Sequence, residues 1–181
     1  MSIRLETARL VVRTFESRDA EPWLAMMTDP DVRRFLTPGP LPTLETFESA
    51  VEQRHALERE HCYAVWAVDD RETGSFVGQC GLQLVARDSQ EAELVYHFTK
   101  ASWNKGYATE AAIAVLAHAF GAARLDRVIV LVLPENVGSC RVAEKAGMRF
   151  EGTTNAYRDL PDLRKYGAER EWWGSPLEGR R

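Results

Sequence analysis

The chain has 181 residues, 45% of them hydrophobic, which is enough to fill one sizeable core and predicts a single domain over 1–181. Acidic residues outnumber basic ones by 27 to 23, for a net charge of -4, and this balance argues against a nucleic-acid partner. The 3 cysteines have no metal-ligand spacing, and the sequence has neither a signal peptide nor a run of roughly 20 apolar residues, so we expect a cytoplasmic protein with no metal and no membrane partner.

Hydrophobic periodicity and turn residues divide the chain into helices and strands without a linker or an internal repeat. Asp29-Pro30 and the proline-rich 37–42 segment mark breaks, and Thr43 is a typical N-cap for the helix after it. In chain order, the predicted elements are a strand over 10–15, a helix from 17 or 19 to 27, a helical turn over 32–36, a helix from its cap at 43 to 61, strands over 63–68, 76–85 and 91–98, a helix over 108–122, a strand over 128–133, a helix over 137–146, and strands over 148–157 and 163–169. This order predicts an α/β (α+β) fold in which helices cover a mixed sheet.

The segment from Tyr96 to Ala111 contains a strand end, a short polar loop and the start of a helix. The first backbone N–H groups of a helix have no internal partner, and the helix dipole there favours negative charge. Gly106 removes a side chain where phosphate oxygens would approach the backbone, and Ala108 keeps the next inward position small. The loop therefore predicts a pyrophosphate cradle, although a tight strand-to-helix turn that needs one glycine would look the same.

Together with a second segment, this loop resembles the GNAT superfamily of N-acetyltransferases. Motif A of that family reads Gln/Arg-x-x-Gly-x-Gly/Ala, and Gly106 and Ala108 match its last two defined positions. Trp103 stands at the Gln/Arg position. An aromatic residue there resembles the RimJ/RimL branch, whose founding members acetylate N-termini of ribosomal proteins. About thirty residues after Gly106, the segment 134–148 is similar to the family motif Asn-x-x-Ser/Ala…Glu-Lys-x-Gly-Phe, with Met148 in place of Phe. The opening and closing strands also resemble those of the family, so the resemblance spans nearly the whole chain.

The resemblance implies the GNAT acyl-CoA N-acyltransferase fold, a mixed, mostly antiparallel central sheet that is splayed in the middle and flanked by helices. Pantetheine would bond exposed backbone in the gap between strands 91–98 and 128–133. The residues implied to bind the cofactor are Phe98, Thr99, Asn104, Lys105, Gly106, Tyr107, Ala108, Thr109, Asn136 and Ser139.

The resemblance also implies an N-acetyltransferase that uses acetyl-CoA as co-substrate, needs no metal, and acts on a primary amine of a protein N-terminus or a small molecule. Segments 20–61 and 153–163 would select the acceptor, and a homodimer is left open. The alternative is a non-catalytic acyl-CoA-binding or regulatory module on the same fold.

Two side chains are candidates for the general base. Strand alternation puts Glu93, Val95 and His97 on one face. Glu93 resembles the glutamate base of histone-type and RimL-type enzymes, and burial on a core strand should strengthen its basicity, whether it acts directly or through a water. His97 is the second candidate, because an ordinary histidine titrates near neutrality. The alternative for Glu93 is a strand-edge carboxylate whose hydrogen bonds are satisfied by a neighbouring residue. The alternative for His97 is a hydrogen-bonded histidine with a structural role.

The general acid is predicted by elimination within the family pattern. Many GNAT enzymes use a tyrosine seven residues after the motif asparagine, and here Ala143 occupies that position. Ser139 remains, and it matches the serine proposed as the acid in the Rim branch. It could equally cap the helix or contact the cofactor, since a thiol pKa of about 8.5 means that the leaving thiolate needs little help. Asn136 is expected to bond pantetheine, to cap the helix, or both.

Overall fold

The computed structural model describes residues 3–36, 38–85, 91–155 and 162–174. Eight strands and five α-helices form it, with single turns of 3-10 helix at Ser17–Asp19 and Lys100–Ser102. The strands are β1 (Arg4–Glu6), β2 (Leu10–Arg13), β3 (Val65–Asp70), β4 (Phe76–Leu84), β5 (Ala92–Phe98), β6 (Arg127–Val132), β7 (Arg149–Thr154) and β8 (Leu163–Glu169). The helices are α1 (Ala20–Thr28), α2 (Pro30–Arg33), α3 (Leu44–His61), α4 (Tyr107–Phe120) and α5 (Val137–Lys145).

All eight strands belong to one mixed sheet in the order β1-β2-β3-β4-β5-β6-β8-β7. Only β5 and β6 run parallel, and they pair at just two positions, Ala92 with Val128 and Glu93 with Ile129. Beyond Glu93 the two strands diverge, so the sheet opens into a V in its middle. The predicted mixed, splayed sheet flanked by helices is confirmed.

Apolar side chains cover both faces of the sheet. On one face, Leu94 and Val128 belong to the core that α4 completes, and the alanine-rich α4 can lie close to the strands because its inward residues are small. On the other face, Trp23 and Phe47 bring α1 and α3 together over β3. No helix among the described residues is long and apolar enough to cross a membrane.

Most predicted elements exist within a few residues of the expected bounds. Thr43 caps α3 as predicted, accepting from the Thr46 N–H at 3.3 Å. Strand β1 was not predicted; it is only three residues long, and its pairing with β2 defines it. The far end of the predicted 148–157 strand, Thr37 of the 37–42 loop and the middle of the 153–163 segment lie outside the described residues.

Candidate active site

A cleft of about 950 Å³ fills the V between β5 and β6. Its apex is the last paired position, where Glu93 faces Ile129. The start of α4 and the first turns of α5 line one end, while α2 and residues 40–42 line the other. The cleft therefore reaches from a helix N-terminus, past a buried carboxylate, to the early helices.

The backbone of β5 presents alternate residues to the cleft. Thr99 N–H donates to the Val77 carbonyl at 3.0 Å and Val85 N–H to the Glu91 carbonyl at 3.2 Å, so odd-numbered residues of β5 bond to β4. Because neighbouring residues of a strand point their N–H and C=O groups to opposite sides, those of Leu94, Tyr96 and Phe98 point toward the gap. The amide of Thr99, which was expected to meet pantetheine, is bonded to β4 instead.

The bend before α4 has the backbone shape that the sequence predicts. Gly106 has a φ of 79° and Asn104 a φ of 60°, both left-handed, and no side chain caps α4. The amides of the first helical turn, 107–109, are therefore available at the cleft. Trp103, which replaces the usual Gln or Arg, donates from Nε1 to the Phe98 carbonyl at 2.9 Å and ties the loop to the end of β5.

Arg9 holds this bend from outside, a role that the sequence analysis missed. Its Nη1 donates to the Lys105 carbonyl at 2.8 Å and its Nε to Glu110 Oε2 at 2.8 Å. Tyr107 adds a bond from its hydroxyl to Asp70 Oδ2 at 2.7 Å. These bonds join the bend to the β1–β2 and β3–β4 turns, so the loop is fixed before any ligand binds.

Glu93 lies at the apex with only 5% of its surface exposed. Gln83, its cross-strand neighbour on β4, donates from Nε2 to Glu93 Oε2 at 3.1 Å. The carboxylate lines the cleft on the face that β5 turns toward α1 and α3. It is thus a buried, hydrogen-bonded carboxylate in the lining of the cleft.

His97 lines the same face nearer the end of β5. Its Nδ1 lies 2.7 Å from Gln79 Nε2, and burial, together with the charge of Arg54, lowers the pKa of His97 to about 4. The expectation of a near-neutral pKa is therefore wrong, because the desolvated ring is costly to charge. At neutral pH His97 is uncharged.

Ser139 and Tyr96 form a pair of hydroxyls on the opposite wall. Ser139 Oγ donates to Tyr96 Oη at 2.9 Å, and Tyr96 Oη donates to the Ser139 carbonyl at 2.9 Å. Burial raises the pKa of Tyr96, so the phenol keeps its proton. Asn136 caps α5 by accepting from the Ser139 N–H at 3.0 Å, so the capping role predicted for it is confirmed.

All predicted cofactor-binding residues except Thr99 and Lys105 line the cleft, as do both predicted catalytic residues. Contact with a cofactor stays a prediction for each of them. Lys105 contributes its carbonyl to Arg9 instead. Tyr96 was given no role in the site by the sequence analysis, because no sequence signal connects its hydroxyl to Ser139. Among the described residues, no cluster of His, Cys, Asp or Glu side chains is arranged to hold a metal ion.

Comparison with known proteins agrees with this architecture. A family model described as the acetyltransferase (GNAT) domain matches residues 9–149. YkkB of Bacillus subtilis (strain 168) is 34% identical over 152 residues, which cover 83% of this chain and 87% of that protein. The crystal structure of a GNAT-family acetyltransferase from Bacillus anthracis is 28% identical with a TM-score of 0.79, covering 93% of this chain and 99% of that one. RimJ of Mycobacterium smegmatis, solved in complex with CoA-disulfide, shares the fold with a TM-score of 0.79 at 21% identity, covering 98% of this chain and 91% of that one. The chain belongs to the GNAT acetyltransferase family and is accordingly an acyltransferase.

Proposed function

We propose that this protein transfers the acetyl group of acetyl-CoA to a primary amine, on a protein N-terminus or a small molecule. The observation that carries the proposal is the cleft where β5 leaves β6, with a buried carboxylate at its apex and a helix N-terminus at one end. The RimJ structure was solved with a CoA-disulfide, and its shared fold supports the same class of cofactor. The RimJ/RimL branch is part of this proposal.

The residues present fit acetyl-CoA. The amides of 107–109 and the left-handed Gly106 would hold the diphosphate, since helix N-termini and bare backbone favour anions. Arg141 and Lys145 line the same end of the cleft and would add positive charge. The backbone groups of β5 that point into the gap, those of Leu94 and Tyr96, would pair with the amide groups of pantetheine.

Glu93 would accept the proton that the ammonium or the attacking amine must lose. The amine nitrogen forms a bond to the acetyl carbon, the carbon–sulfur bond breaks, and coenzyme A leaves as a thiolate that takes up a proton. Backbone N–H groups facing the gap would stabilise the carbonyl oxygen as charge develops on it. Ser139, whose hydroxyl donates to Tyr96, would turn to supply the proton to sulfur, although a thiolate can also leave without it.

The test is Glu93→Gln, which keeps the shape and a hydrogen-bonding group at the apex. A general base contributes roughly 100- to 10,000-fold, so we expect kcat for coenzyme A release to fall at least about 100-fold. Calorimetry should give an unchanged Kd for acetyl-CoA. The matched control is Glu52→Gln on the exposed side of α3, which should retain wild-type turnover.

Two outcomes would contradict the proposal. If Glu93→Gln keeps a kcat within threefold of wild type, Glu93 is not the base. If the wild type binds acetyl-CoA but releases no coenzyme A with any amine, the non-catalytic acyl-CoA-binding module is the better description.

A further inference from the structure

The orientation of the Gln79 amide is fixed by its neighbours. Gln79 is 3% exposed on β4, and its Oε1 accepts from Trp23 Nε1 at 2.8 Å and from Arg54 Nη2 at 3.1 Å. Indole and guanidinium groups can only donate, so the oxygen must face them and Nε2 must face His97. Because an amide nitrogen only donates, His97 Nδ1 accepts this bond.

This assignment determines the tautomer of His97. A neutral imidazole has one protonated and one unprotonated nitrogen, so with Nδ1 accepting, the proton is on Nε2. The ring lines the cleft, and its only hydrogen bond to the described residues is the one to Gln79. His97 therefore offers the cleft a hydrogen-bond donor and has no free lone pair with which to act as a base.

Positive charge collects at the same end of the cleft. Arg33 at the end of α2 and Arg34 just after it line the cleft, and Arg54 lies behind His97, with its buried Nη1 lacking a hydrogen-bond partner among the described residues. Within the described part of the chain, none of these three guanidiniums forms an ion pair.

The neighbouring acids are already engaged. The Asp31 carboxylate pairs with Lys100 and also attracts Arg34 at longer range, and the Asp29 side chain caps α2 by accepting from the Asp31 N–H at 2.8 Å.

Arg33 is half-buried, Arg34 is exposed and lies over the Phe35 ring at 4.4 Å, and only Arg54 carries a buried nitrogen without a hydrogen-bond partner among the described residues. An anionic ligand beside His97 would offset the cost of that buried charge.

We infer that the acceptor amine carries a carboxylate, which binds to the donor set formed by Arg34, Arg33 and the His97 Nε2–H group. This inference rests on the proposed function, in which Glu93 receives the amine. His97 lies four positions after Glu93 on β5, roughly 13 Å along an extended strand. The carboxylate therefore lies several bonds from the amine, as in a short peptide with an acidic residue near its N-terminus, rather than on the α-carbon of a free amino acid.

The experiment compares acceptors that differ only in one group. Coenzyme A release is measured for peptide pairs such as Ser-Glu and Ser-Gln amides or Ala-Glu and Ala-Gln amides, and for free amino acids against their α-amides. A charged hydrogen bond favours the carboxylate by about tenfold in kcat/KM. We expect that ratio for the peptide pairs and a smaller one for the free amino acids.

Variants locate the preference on the protein. Arg34→Gln should lower the Glu-to-Gln ratio toward one, with Arg33 and His97 keeping the remainder, and Arg34→Lys should restore part of what is lost. Arg34 is the cleaner position because Arg33 also donates from Nη2 to the Gly39 carbonyl at 2.7 Å and ties down the adjoining loop. His97→Gln keeps a donor near the Nε2 position and should retain more of the ratio than His97→Leu. Arg59→Gln, on the exposed side of α3, is the charge-matched control and should keep the wild-type ratio.

Failure of this inference differs from failure of the proposed function. If coenzyme A is released but the paired acceptors react equally, or if the ratio survives in Arg34→Gln, the carboxylate subsite is overturned while the acetyltransferase remains. If free amino acids show the full preference, the distance argument is wrong. If no amine supports release, both proposals fail together.

Discussion

Substituting Gly106 by alanine tests whether the bend before α4 binds the diphosphate. Gly106 and Gly74 are both left-handed, with φ of 79° and 69°. A built Cβ meets nothing within 4 Å at Gly74, and only Arg9 Nη2 at 3.4 Å at Gly106. Each alanine should therefore cost about 1 kcal/mol in backbone strain, and a chain of this size should lose about 2–4 °C in Tm.

The two variants should differ only in ligand binding. A methyl group at 106 would lie 3.4 Å from Arg9 Nη2 and would disturb the bend whose first helical amides are proposed to hold the diphosphate. Each charged hydrogen bond lost there is worth about 1.5–3 kcal/mol. We therefore expect calorimetry to show acetyl-CoA binding weakened about 10- to 100-fold in Gly106→Ala and unchanged in Gly74→Ala. Equal affinities in the two variants would show that the bend does not bind the diphosphate. A much larger fall in Tm for Gly106→Ala would show that the bend lacks the room described above.

Two further predictions concern buried charge. Because burial lowers the pKa of His97 to about 4, its ring resonances in an NMR titration should not shift between pH 5 and 8, with the proton on Nε2; an inflection near 6.5 would contradict this. In the unfolded chain, the His97 imidazole takes up a proton near its ordinary pKa of about 6.5. The contribution of His97 to the free energy of unfolding should therefore fall as the pH drops from about 6.5 to 4. Denaturant titrations of the wild type and of His97→Gln should diverge over that pH range. Arg13 bonds two buried aspartates, Asp19 at 2.7 Å and Asp69 at 2.7 Å. Arg13→Ala should therefore destabilise the protein by about 3–5 kcal/mol, measured by thermal unfolding against the exposed control Arg59→Gln, and a loss below about 1 kcal/mol would contradict it.

Local signals made much of the fold predictable. Thr43, Gly121 and the apolar 128–133 run mark their element ends through capping, helix termination and burial, all of which depend on neighbours in sequence. Strand β1 depends instead on pairing with β2, and three residues carry too little periodicity to reveal it.

In the candidate site, too, some residues could be recognised from the local sequence and others only from the tertiary structure. Gly106 and Glu93 were identified because each sits in a recognisable local segment. Arg9 and Gln79 act through residues far away in the chain, Lys105 and His97, so only the tertiary structure connects them. The bonding of the Thr99 amide to β4 was also not predictable from the sequence, because which neighbouring strand an amide faces depends on the register of β4 and β5.

The register of β5 also explains how this strand contributes both to the apolar core and to the lining of the cleft. Leu94 is fully buried and Phe98 is 5% exposed in the core against α4, while Glu93 and His97 lie on the face of β5 that is turned toward α1 and α3. A one-residue slip of β5 would reverse both faces, because side chains alternate along a strand. Burying a leucine or phenylalanine side chain stabilises by about 1.5–3 kcal/mol, so such a slip would lose several kcal/mol of apolar burial and would also bury two polar groups in the core. The apolar side of β5 therefore fixes where the carboxylate and the imidazole point, and the chemistry of the cleft depends on packing that lies on the opposite face of the sheet.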